Sequence, residues 1–116
     1  MASVVHSLNK GKRGERQWRD FLRSIGFTDA RRGQQFAGGP DSPDVVGGIP
    51  GTHVEVKLVE KLNIEDAMQQ AERDIGQAYG QIPYVAHRRN RTEWCVTVRA
   101  ANLVEFCKRV LKGMEP

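Results

Sequence analysis

The segment His53-Val54-Glu55-Val56-Lys57-Leu58 constrains the fold of this chain more than any other six residues. Val54, Val56 and Leu58 alternate strictly with His53, Glu55 and Lys57. A period of two marks a β-strand, whose successive side chains point to opposite faces. One face is apolar, and the other carries an acid and a base about 7 Å apart along the strand. Charges inside strands are uncommon unless they point to solvent or do chemistry. The segment therefore singles out Glu55 and Lys57 as well as fixing a strand. The plain alternative is a solvated face with a weak ion pair, worth about 0–1 kcal/mol. His53 shares that face and reads as a polar strand residue rather than a ligand.

The flanking sequence places helices and further strands around this one. From Lys12 to Ile25, the residues Trp18, Phe21, Leu22 and Ile25 fall at i, i+3, i+4 and i+7, a helix stripe that Gly26 stops. The first nine residues read as frayed. Phe27 to Arg32 predicts a first strand, and Gly33–Pro43 is rich enough in Gly and Pro to be loop. Asp44-Val45-Val46 predicts a short strand, and Gly47–Gly51 a turn that can fold it back beside the His53 strand as a hairpin.

Asn63 is placed to cap a second helix, with Asp66 three residues on. Ile64, Ala67, Met68, Ala71, Ile75, Ala78 and Tyr79 hold its apolar face, and Gly80 ends it. Ile82–Arg88 and Glu93–Val98 predict two strands joined by a basic turn. A last helix shows Leu103, Phe106, Cys107, Val110 and Leu111 on one face before Gly113. The expected order is α-β-β-β-α-β-β-α, an α/β chain of the α+β kind with helices packed on a mixed sheet.

A length of 116 residues suits one domain, able to bury roughly 65% of its unfolded surface. No run approaches the ~20 apolar residues of a membrane span, and the first residues lack the apolar core of a signal peptide. A cytosolic protein of a bacterial, archaeal or phage-infected cell is the expectation, with no membrane partner. Cys95 and Cys107 sit in apolar patterns and read as small buried hydrophobes. The net charge of +4 points to a polyanionic partner, although basic surface is common elsewhere. Setting aside Glu15, Asp44, Glu55 and Lys57 leaves 17 basic and 11 acidic side chains, a net +6. Bases concentrate in Lys10–Arg23, at Arg31-Arg32 and in His87–Arg91.

If the Asp44 strand folds back as the turn allows, its carboxylate comes beside that of Glu55. Two carboxylates held together require a raised pKa or a cation between them. Oxygen donors favour Mg²⁺ or Mn²⁺, which keep several waters and take one or two carboxylates. A lysine beside such an ion can orient a water or stabilise developing phosphate charge. Phosphodiester hydrolysis is the chemistry these parts suit.

Pro43-Asp44, ten residues, then Glu55-Val56-Lys57 resembles the motif of the PD-(D/E)xK nucleases. The resemblance extends to Gly14-Glu15-Arg16-Gln17, since these nucleases often carry a glutamate on their first helix. Short chains with an N-terminal Lys-Gly…Glu helix look similar to archaeal- and phage-type Holliday junction resolvases, and the likeness covers roughly residues 9–106. It implies a restriction-endonuclease-like core and a Mg²⁺-dependent endonuclease, commonly a homodimer, that acts on branched DNA in recombination and repair. It implies metal ligands at Asp44, Glu55, Glu15 and the Val56 carbonyl, with Lys57 catalytic. It also implies a glutamine or basic residue from the second helix, for which Gln69 and Gln70 are candidates and Gln70 is preferred.

Plainer readings stand beside each assignment. Glu15 could serve only the helix dipole, and Asp44 could merely close a turn. Asp41, after Pro40, is a rival for the motif aspartate, although it lies within the loop whereas Asp44 opens a strand. Trp94 reads as core rather than as a stacking platform. Lys10, Lys12, Arg13, Arg16, Arg31, Arg32, Arg88, Arg89 and Arg91 are candidate DNA-phosphate contacts; the last three could equally form a solvated hairpin turn. A duplex- or flap-cutting nuclease, or a non-catalytic DNA-binding module on this fold, are the competing functions.

Overall fold

In the computed structural model, residues 4–33, 44–76 and 80–116 are described, with side chains from Gly11 onward in the first segment. Helix α1 spans Val4–Ser24, strand β1 Arg31–Arg32, β2 Val45–Val46 and β3 Thr52–Leu58. Helix α2 covers Ile64–Asp74, β4 Ile82–Arg88 and β5 Cys95–Val98. A 3₁₀ turn at Ala100–Asn102 leads into α3, Leu103–Gly113. Among the described residues the chain is thus an α+β protein with three α-helices, a two-stranded β1-β2 sheet and a mixed three-stranded sheet ordered β3-β4-β5. β3 and β4 run parallel through the α2 crossover, and β4 and β5 form an antiparallel hairpin.

The two faces of this sheet are built from different material. On one, Trp18 and Leu22 of α1 pack with Val54, Val56, Tyr84, Ala86 and Phe106 of α3. The Trp18 indole donates to the Tyr84 hydroxyl at 3.2 Å, and the Tyr84 and Phe106 rings meet edge to face at 5.3 Å. Gly14 lets α1 lie flat on β3: a β-carbon there would stand 3.1 Å from that of Leu58. On the other face, Ala67 and Met68 of α2 cover Val85, and Leu62 and Ile64 close the edge. Asn63 Oδ1 accepts the Asp66 amide at 3.1 Å, the expected N-cap.

Several expectations need correction. The first helix begins at Val4 rather than after a frayed segment of nine residues. Helix α2 ends at Asp74, where Gly76 takes φ +58, so the stripe does not run four turns to Gly80. Ala78 and Tyr79 lie outside the described residues. β2 does not form a ladder with β3. Its antiparallel partner is β1, with Arg31 opposite Val46 and Arg32 opposite Val45. Gly47 explains the departure: its φ of +75 turns the chain so close to the Asp29 carbonyl that no side chain would fit.

Cys95 and Cys107 are both exposed rather than buried. Cys95 lies on the outer strand of the sheet, which leaves its first residues uncovered, and α3 buries only Phe106 among its apolar residues. Leu103 and Leu111, expected in the core, are 50% and 67% exposed. The Gly33–Pro43 loop and Asp41 fall, apart from Gly33, outside the described residues. Among the described residues no helix is long and apolar enough to cross a membrane.

Candidate active site

Strand β3 is covered on both sides, so its polar residues are not a solvated face. Glu55 is 6% exposed and His53 is 1% exposed. Glu55 reaches Lys57 Nζ at 3.3 Å, and the same ammonium donates to Gln70 Oε1 of α2 at 3.3 Å. Gln69, one residue earlier, turns outward to Glu65. Helix geometry makes the selection, because successive residues on a helix point about 100° apart and only one can face the sheet.

Asp44 arrives from the other edge of β3. Its amide donates to the Val54 carbonyl at 3.2 Å, and its Oδ2 accepts the Val56 amide at 2.8 Å. These two bonds substitute for a hairpin ladder and fix the carboxylate against the strand. They also orient Val56: amide and carbonyl of one strand residue point to the same side, so the Val56 carbonyl faces Asp44 too.

The resulting electrostatics are strained in one direction. Burial pushes the Asp44 carboxyl up to about 7, the Glu55 and Glu15 carboxylates add to the rise, and the Val56 amide and Lys57 only partly oppose it. Burial also raises Glu55, against Lys57, with Asp74 and Glu15 reinforcing the rise. Glu15, on α1, is half-buried and holds Arg32 Nε at 3.1 Å. The neighbourhood thus gathers Glu15, Asp44, Glu55 and Asp74 against Lys57 and Arg32. With all six ionised, four acids and two bases leave a charge of −2.

Two of these residues carry roles that the sequence reading did not give them. Asp74 sits one turn beyond Gln70 on α2 and stands near enough to Glu55 to raise it. That i, i+4 spacing was its available signal. Arg32, a candidate DNA contact, also pairs with Glu15 through its Nε at 3.1 Å. Nothing local marks a pair separated by 17 positions.

Among the described residues no three His, Cys, Asp or Glu side chains converge closely enough to hold a metal. An all-side-chain cage of the zinc type is therefore not what this donor set offers. Two carboxylates and a main-chain carbonyl on one side of β3 do fit Mg²⁺ or Mn²⁺, which keep most of their waters.

The remaining cationic candidates are spread over the surface. Lys12, Arg13 and Arg16 are exposed on α1, and Arg31, Arg89 and Arg91 are exposed elsewhere. The Lys10 side chain lies outside the described set. Arg88 lies over the Trp94 ring at 5.6 Å and donates to Gln17 of α1 at 3.4 Å. Trp94 itself packs on Trp18, centroids 5.2 Å apart, at the border of the core. Comparison with protein-family models, with curated proteins and with solved structures returns no match to this chain.

Proposed function

We propose that the chain is a Mg²⁺-dependent endodeoxyribonuclease, with Mn²⁺ able to substitute, built on a restriction-endonuclease-like core of the PD-(D/E)xK kind. One observation carries the reading: Asp44 is fixed by two hydrogen bonds beside a buried Glu55, although burial raises both carboxyls and the Glu55 charge raises Asp44 further. Structural acids are not normally held against each other in this way. Such an arrangement suits a site whose missing positive charge is delivered by a cation.

Asp44, Glu55 and the Val56 carbonyl would hold the ion, with Glu15 available to its waters. When bound, Mg²⁺ supplies a Lewis acid for the scissile phosphate and lowers the pKa of an attacking water. The chain's own residues do the rest. Gln70 and Glu55 steer the Lys57 ammonium, which stabilises negative charge as it develops on the phosphate. Arg32 holds the Glu15 carboxylate through its Nε at 3.1 Å. Exposed Lys12, Arg13, Arg16, Arg31 and Arg89 bind backbone phosphates without reading sequence.

The substrate form follows from the resemblance to junction resolvases: a four-way junction cut by a symmetric homodimer, two chains providing two sites. The test is cleavage of a labelled four-way junction beside its linear duplex arms, with Mg²⁺ and with EDTA. Junction cleavage only with Mg²⁺ is the expected result. Equal cutting of junction and duplex would indicate a general duplex nuclease. Binding without cleavage under any metal would reduce the chain to a DNA-binding module.

A further inference from the structure

The face of the sheet that carries Lys57 continues into a cavity that the nuclease reading leaves unused. Lys57 lies opposite His87 on β4, and His87 opposite Cys95 on β5, so the three form one row across the α2 side. His87 and Cys95 line a cavity of about 410 Å³, whose apolar floor is Val59, Leu62 and Ile64. With strands about 4.8 Å apart, the cavity begins roughly 5–10 Å from Lys57. At about 3.4 Å per phosphate along a duplex strand, that is one to three nucleotides from the bond Lys57 would serve.

The β4–β5 turn that helps line the cavity is pre-formed. Thr92 Oγ1 donates to the Arg89 carbonyl at 2.9 Å and accepts the Arg89 amide at 3.1 Å. Arg91 takes φ +65 to close this turn, and the Asn90 amide bonds Glu60 across the gap at 3.3 Å. The loop before α2 and the β4–β5 turn are thereby tied together around an open space. At about 410 Å³ the space has the size of a small-ligand pocket.

Its chemistry selects the occupant. Glu60 and Glu93 line it along with Arg89, so it is not a cluster of cations suited to bare phosphates. The Arg88 guanidinium is already committed to Gln17 and the Trp94 ring. Arg89 has no ion-pair partner among the described residues and is exposed at the rim. An apolar floor, carboxylates able to accept base N–H groups and one free guanidinium match a single nucleotide: base inside, phosphate outside.

We propose that this cavity receives the base of one unpaired nucleotide within one to three nucleotides of the cleaved phosphate, with Arg89 on its phosphate. The inference rests on DNA being the substrate. It makes unpaired nucleotides, which a bulge provides and a perfect duplex does not, a direct determinant of recognition.

Cys95 provides a reporter inside the cavity, and Cys107, exposed on α3 and not lining it, an internal control. The full chain is alkylated with N-ethylmaleimide in EDTA, with saturating duplex carrying one bulged adenosine or with the fully paired duplex. Each thiol is followed by mass spectrometry. The bulged duplex should slow Cys95 labelling about fivefold or more relative to the paired one, and Cys107 should label equally with both. Ile64→Trp, which fills the cavity, should abolish the preference for the bulge in competition binding while keeping affinity for paired duplex. Equal protection of Cys95 by both duplexes, no protection by either, or an Ile64→Trp variant that keeps the preference would overturn the proposal. Protection without Mg²⁺-dependent cleavage would instead sink the nuclease reading and leave the pocket standing; cleavage without protection would do the reverse.

Discussion

The two faces of the β3-β4-β5 sheet are made from one pair of neighbouring strands, yet they differ in what they hold. Toward α1 and α3 stand Trp18, Leu22, Tyr84, Ala86 and Phe106, apolar or internally hydrogen-bonded. Toward α2, Ala67, Met68 and Val85 share the space with Glu55, Lys57 and Gln70. Alternation along β3 makes this division possible, because each residue is committed to one face. The first face stabilises the fold by burying aromatic area. The second gives up part of that stability to keep charge in a covered place. A site of this kind needs a stiff scaffold on its other side, and the aromatic cluster supplies it.

The division can be broken from the apolar side first. Trp18→Ala should cost about 3–5 kcal/mol of folding free energy, read by denaturant titration, because it empties the centre of that cluster. Any loss of cleavage should then track the unfolded fraction. The polar face should answer in the opposite way. Asp44→Ala, Glu55→Ala and Lys57→Ala should each lower cleavage by about 10²–10³-fold while the chain stays folded and DNA affinity holds. A variant that cuts at the wild-type rate would remove that residue from the site.

Acidity sharpens the comparison further. Asp44 has a folded pKa raised to about 7 from 3.8, so between those values the folded chain holds a proton that the unfolded chain has released. The stability it contributes is present below about pH 4 and is lost as pH rises through about 7. Asp44→Asn, which keeps an acceptor for the Val56 amide, should match the wild type near pH 4. At pH 8 without divalent ions it should be more stable by about 1–3 kcal/mol, read from paired melts. The smallest effect is expected at the rim, where Arg89→Glu should lower the slope of log affinity against log salt by about 0.9 on duplex DNA. An unchanged slope would move the phosphate contacts to Lys12, Arg13 and Arg16.

Local periodicity carried most of the element order, because the stripes on α1 and α2 and the alternation in β3 are properties of neighbouring residues. The N-cap at Asn63 was legible for the same reason. What local pattern could not convey was which long-range partner each element would take. The Asp44 strand pairs with β1, and the contact with β3 that matters is a side chain on the Val56 amide. Arg32 was readable as a basic residue but not as the partner of Glu15. Asp74 was hidden at the end of a helix that the apolar stripe extended too far, to Tyr79. Cys107 and Leu111 satisfy a helical period, yet α3 lies on the rim of the molecule, where a stripe need not be covered. The choice of Gln70 over Gln69 depended on the rotation of α2, which packing on Val85 fixes.

A cation site at Asp44 and Glu55 can be tested without choosing a substrate. Wild type and Asp44→Asn are melted at pH 8 in EDTA and in increasing Mg²⁺. The ion should stabilise the wild type in proportion to its occupancy, by about 2.7 kcal/mol at a hundred times the dissociation constant. Asp44→Asn should begin more stable in EDTA and gain little from Mg²⁺. Wild-type stability that does not respond to Mg²⁺, or an equal response from both proteins, would contradict the assignment.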